Sequence, residues 1–286
     1  MFKHINNKNI LKPCLFIVLT LVLTAVAIAI RTIDLSFFFD NDIGYYQRDS
    51  IFPVITNILL VASVLFFAIA SIFLTRIPES FNSRENTPLT IIGSALCALT
   101  FLVMVVNFFL FYMEYPIKII AIYALLSLFS SLYFISNIVN FAGQYRALLV
   151  IPVIVDLTFI LATSYFKITI QMNSPMKIFL HITCLALMFF FISEARSFFE
   201  DIKKKRYLFW LCTAILFSGT YSISSMIYFV TSDIFDYNFV SYVIIFFAMF
   251  VYLVIRAITV IIATKKSVAE NIVNEDQPKS QEEEDI

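Results

Sequence analysis

The stretch FVSYVIIFFAMFVYLVIRAITVIIA, Phe239 to Ala263, runs for 25 residues with one charged side chain, Arg256. A helix rises about 1.5 Å per residue and the hydrocarbon core of a bilayer is about 30 Å thick, so about 20 apolar residues make one crossing. This segment is long enough to cross. The basic residues around it fix its sense: KKKR at 203–206 precedes the neighbouring apolar run, and Lys265 and Lys266 follow this one. Lysine and arginine collect on the cytoplasmic side of short loops. Two basic clusters on one side require an even number of crossings between them.

Seven further runs qualify: Cys14–Ile30, Ile51–Leu74, Leu89–Met113, Ile117–Ile138, Leu148–Phe166, Ile178–Ile192 and Tyr207–Val230. The chain of 286 residues is 60% hydrophobic and 14% charged, with a mean hydropathy of +0.89. Soluble domains hold about 45–50% apolar and about 25% charged residues. The fold class is therefore an all-α integral membrane protein, a bundle of eight transmembrane helices, with both termini expected in the cytoplasm. In that orientation the inner segments carry 14 lysines and arginines against five outside, Arg31, Arg48, Lys118, Lys167 and Lys177. The sixth run is the shortest; without it the termini would face opposite sides. The first reads as a retained span, not a cleaved leader. Residues 1–264 form one bundle, and 265–286, ending QEEEDI, are expected as a disordered acidic cytoplasmic tail. Pro53, Pro88 and Pro152 lie near run starts and read as helix punctuation.

Two charges fall clearly inside the runs, away from their ends, Asp156 and Arg256. Each costs about 2.5–3.5 kcal/mol at a helix centre, so such groups face the bundle interior and find partners. Counting from the expected span ends puts both about eight residues, about 12 Å, from the cytoplasmic edge. An intramembrane ion pair is one reading; the other has Arg256 reaching to the headgroups and Asp156 hydrogen-bonded or protonated.

Polar residues also recur at helical spacing. In the fourth run the stripe is Tyr123, Ser127, Ser130, Tyr133, Asn137, Asn140 and Gln144; in the seventh it is Ser218, Tyr221, Ser225, Tyr228 and Ser232. Such stripes serve helix association through interhelical hydrogen bonds, or they line a polar path. Asn107 in the third run, with Gly93, Cys97 and Thr100 on its face, is a candidate to join them.

The sequence contains no HExxH, no GxSxG and no glycine-rich phosphate loop, and no second acid in the runs to make a dyad with Asp156. No catalytic residue, metal site or cofactor is expected. His181, three residues before Cys184, is half a metal site and reads as packing. Zero net charge gives no reason to expect a nucleic-acid partner.

Between the first two runs lies FFFDNDIGYYQRDS, Phe37 to Ser50. An EF-hand loop would need oxygen ligands where Gly44 and Ile51 stand, so the stretch reads as a turn or short hairpin at the interface. Asp40 and Asp42 in it, together with Asp233 and Asp236 in the last outer loop, are candidates for an acidic outer mouth. DNDIGYY, an acid followed by glycine and two tyrosines, resembles a string found after the first span in uncharacterised polytopic membrane proteins of clostridial-type bacteria. The resemblance covers residues 30–60 and the general layout. It implies a bacterial plasma membrane and carries no activity.

Two functions fit these features. One is a sensory or accessory subunit that works through helix contacts with another membrane protein. The other is a small-solute or ion-coupled transporter with a polar path along the fourth and seventh spans. An enzyme is the least supported. In each case the bilayer is the first partner and the cell membrane the expected location.

Overall fold

Backbone amides in hydrocarbon find no water, so a chain this apolar crosses a bilayer only with its hydrogen bonds closed within helices. The computed structural model describes residues 8–40, 44–47, 50–73, 87–166, 174–198, 204–232 and 237–276. Eight helices follow in order: α1 (Lys8–Phe38), α2 (Phe52–Phe73), α3 (Pro88–Glu114), α4 (Lys118–Val139), α5 (Gly143–Phe166), α6 (Pro175–Ser197), α7 (Lys204–Ser232) and α8 (Tyr237–Asp276). Each is long and apolar enough to span a membrane. The protein is a multi-pass helical membrane protein. The sixth helix is complete, with 23 residues and a length of about 34 Å.

Six of the helices close on themselves. Each of α3 to α8 packs on the next, and α8 returns to α3. Close approach at that seam is allowed by small groups: the Cys97 Sγ lies 3.2 Å from the Ala248 carbonyl oxygen. The α1–α2 pair lies against α7 outside the ring, with Leu15, Val18, Val22 and Val26 of α1 exposed. Gly219 of α7 permits this docking, since a Cβ there would come within 2.6 Å of the Phe250 ring and 2.9 Å of Thr24.

Between α1 and α2 the chain forms a two-stranded antiparallel hairpin, β1 (Phe39–Asp40) with β2 (Tyr45–Tyr46). Gly44 adopts φ +74°, a left-handed conformation that glycine takes without Cβ strain. The Ser174 hydroxyl at the start of α6 donates to the Gly44 carbonyl at 3.1 Å, and the Phe39 ring meets Tyr228 of α7 edge-on. These contacts define a hairpin end of the bundle; the start of α1 belongs to the opposite end, the termini end.

Several helices outrun the apolar runs. Helix α1 continues past Ile30 to Phe38, α5 begins at Gly143 instead of Leu148, and α6 continues past Ile192 to Ser197. Pro152 consequently lies inside α5 and not at its start. Helix α8 extends through Asp276, so residues 265–276 are helical where a disordered tail was expected. Prolonging a helix already formed needs no new nucleus. The remainder of the tail lies outside the described residues.

Candidate functional site

Helices that are not neighbours in the ring meet through side chains that cross its interior, the Phe134 and Phe191 rings of α4 and α6 among them, together with a set of polar groups. Near the termini end, Arg256 of α8 forms a salt bridge through Nη2 with Glu194 Oε1 of α6, both almost wholly buried. The Tyr252 hydroxyl donates to the same Oε1 at 2.8 Å and accepts from Arg256 Nε at 2.9 Å. The Tyr133 hydroxyl of α4 stands 3.4 Å from that of Tyr252. Three alternate helices are thus tied across the ring by one charge pair and two phenols.

The proposed pair of Arg256 with Asp156 is therefore corrected: Arg256 belongs to Glu194. The reason lies in the helix ends. Because α5 begins five residues earlier than its apolar run, at Gly143, Asp156 sits 13 residues into it, about 20 Å from that end. On α4 Asp156 meets Ser130, whereas Arg256 lies one turn past Tyr252, whose own hydroxyl already reaches Tyr133. Depths that looked equal differ by more than a helical turn. Glu194 escaped notice because it lies two residues beyond the last apolar residue counted, Ile192. It is also a second buried acid, which the sequence reading denied, but it is committed to Arg256.

Asp156 itself is 2% exposed, near the middle of α5. Its Oδ2 accepts from the Ser130 hydroxyl of α4 over a long 3.4 Å, and its Oδ1 has no partner. One turn along α4, the buried Ser127 hydroxyl also has none. Serine in a helix ordinarily bonds the carbonyl three or four residues back, as Ser131 and Ser136 do here. A further turn along, the Tyr123 hydroxyl meets those of Thr163 on α5 and Tyr242 on α8, the latter at 2.6 Å.

The α4 stripe from Tyr123 to Asn137 is buried throughout and faces the ring interior. Asn140 leaves it: it is the C-cap of α4 at φ +60°, exposed, and its Oδ1 accepts from Arg146 Nη2 at 3.2 Å. Asparagine tolerates that left-handed cap, so its polarity serves the helix end. On α7, Ser218, Tyr221 and Ser225 are buried, with the Tyr221 ring between Phe179 of α6 and Phe246 of α8. Asn107 is only half-buried, at the margin of the α3 face formed by Cys97, Phe101, Met104 and Phe108.

Of the four acids of the expected outer mouth, Asp42, Asp233 and Asp236 lie outside the described residues, and Asp40 is half-buried in β1. What the hairpin end does bring together is a group the sequence reading missed. Arg31 and Asp34 of α1 are both buried and 3.5 Å apart. The Tyr46 hydroxyl of β2 accepts from Arg31, and the guanidinium lies over the Phe179 ring at 4.9 Å. Burial raises the Tyr46 phenol pKa above its ordinary value, a rise that Arg31 opposes and Asp34 reinforces. Lys177 is likewise buried, donating to the Tyr165 carbonyl at 2.8 Å. His181 bonds Ser164 at 2.9 Å, and no group of three His, Cys, Asp or Glu among the described residues is placed to hold a metal.

No protein-family model, curated protein or solved structure matches this chain.

Proposed function

We propose that the protein is an ion-coupled transporter of a small solute, with its path along the interior faces of α4 and α7. The supporting observation is where the polar stripes point. Had they served a partner protein, they would lie on the outside of the bundle; instead they are buried. The outer surface carries large apolar side chains such as Ile58, Val61, Leu65, Val103, Val106 and Leu125. Those suit lipid.

The 14-to-five distribution of basic residues favours cytoplasmic termini. Two of the five bases expected outside, Arg31 and Lys177, are buried in protein contacts, which leaves fewer of them for the loops. The resemblance of DNDIGYY favours a bacterial plasma membrane. No catalytic role is proposed.

The test is reconstitution into liposomes with a pH- or sodium-sensitive dye inside. An imposed proton or sodium gradient, with a panel of amino acids, organic acids and organic cations outside, should give protein-dependent flux. Folded protein that moves neither ion under any condition overturns the reading. It would favour a second one, a sensory or accessory subunit, which draws support from the dense filling of the ring by Tyr133, Phe134, Phe190, Phe191, Phe246 and Tyr252.

A further inference from the structure

We propose that Asp156, with the Ser127 and Ser130 hydroxyls, binds one monovalent cation in the middle of the bundle. The proposal rests on the transport reading and names the ion that reading needs. Three observations carry it.

First, the Asp156 carboxylate is buried with one oxygen unpartnered and the other held by a single long bond. A carboxylate in this surrounding is stable only with a cation or a proton on it. Second, Ser127 lies on the same face of α4 as Ser130, one turn away, with its oxygen also buried and unpartnered. An orphan hydroxyl one turn from the serine that reaches Asp156, together with the orphan carboxylate oxygen, makes a set of oxygen donors for a guest.

Third, the buried bases among the described residues are engaged elsewhere. Arg256 holds Glu194, Arg146 bonds Asn140 and lies over the Phe198 ring, Arg31 bonds Tyr46 and Asp34, and Lys177 bonds the Tyr165 carbonyl. The titratable groups with an electrostatic interaction with Asp156 from the helices against α5 are Tyr123 on α4 and Cys184 on α6, a phenol and a thiol, which ordinarily carry no charge at neutral pH. His181 and Glu194 on α6 are bonded to Ser164 and Arg256. The site therefore carries a single negative charge. One carboxylate and two hydroxyls suit a monovalent ion, since a divalent ion draws on more carboxylates. A proton on Asp156 is the smallest such guest and would be donated to a serine oxygen.

The experiment uses the full-length protein in detergent, with choline replacing sodium, lithium or potassium at constant ionic strength. A saturable rise in thermal stability with one alkali ion identifies a metal cation. Its absence, together with a protonated-carboxyl infrared band that appears as pH falls and is missing in Asp156→Asn, identifies the proton. Ser127→Ala removes a hydroxyl with no other bond and should fold; it should weaken alkali-ion binding about tenfold or shift the infrared titration midpoint. Neither an ion-dependent shift nor a titrating band in the parent protein overturns the site, as does a Ser127→Ala variant that behaves as the parent. Ion binding without flux in liposomes would overturn transport and leave the site standing. Flux unchanged in Asp156→Asn would do the reverse.

Discussion

Glu194 and Asp156 are acids on adjacent helices, each at most 2% exposed, and the bundle treats them in opposite ways. Glu194 receives a guanidinium and a phenol on one oxygen. Asp156 receives one distant hydroxyl. A buried charge with a partner is a structural tie, whereas a buried charge without one persists in a membrane protein only where function requires it. The same residue class, at comparable burial, is thus tied in one place and left with an unpartnered oxygen in the other, the difference on which the proposed ion site rests.

The sharpest way to break this contrast is Arg256→Ala, which leaves Glu194 charged with the Tyr252 hydroxyl but without its counter-ion. Removing one partner of a buried pair costs about 3–5 kcal/mol, so the melting temperature in detergent should fall steeply. Glu194→Met combined with Arg256→Met should recover much of it, because two apolar side chains remove both charges together. Tyr252→Phe comes next. It deletes the hydroxyl that bridges both ions, and hydrogen bonds to charged groups contribute about 1.5–3 kcal/mol; thermal unfolding should show a loss smaller than that of Arg256→Ala.

At the hairpin end, Tyr46→Phe should cost about 1 kcal/mol and raise amide exchange over Phe39–Tyr46, since one latch to Arg31 is gone. The pH dependence there has a definite sign. The Tyr46 phenol has a higher pKa folded than unfolded. Its contribution is complete below the unfolded value of about 10 and is lost as pH rises beyond it. Hairpin protection should hold at pH 8 and decline above pH 10. The smallest effect on stability belongs to Asp156→Asn, which replaces an orphan acceptor with a neutral amide. Stability should rise slightly, by less than about 1 kcal/mol, while ion-coupled flux disappears. A destabilisation as large as that of Arg256→Ala would erase the distinction between the two acids.

Much of this fold was legible in the sequence because a span is a local property. Twenty apolar residues declare a crossing without reference to any neighbour, and the period of Tyr123, Ser127, Ser130 and Asn137 declares a polar face. The ends of the spans were not legible. Glu194, Arg31, Asp34 and Arg146 each sit just beyond an apolar run, where hydropathy stops counting, yet each is buried. What admits them is a partner far along the chain or a neighbouring ring, as Arg256 does for Glu194 and Phe198 for Arg146. For Glu194 and Arg146 that pairing is tertiary, so no window of sequence contains it, whereas Arg31 and Asp34 lie one turn apart and are buried by the hairpin and Phe179. Asn140 failed in the other direction: it keeps the stripe's period but terminates the helix.

The closed ring also bears on how the chain is assembled. Its seam joins α3 to α8, and Cys97 and Ala248, which meet there, are 151 residues apart in sequence. During synthesis α3 enters the bilayer long before its second neighbour exists. Loop-closure entropy and order of insertion both make this seam the last to form. Until then the inner face of α3 is open to lipid or to a chaperone. A chain truncated before α8 should insert its first seven spans and yet never complete the ring.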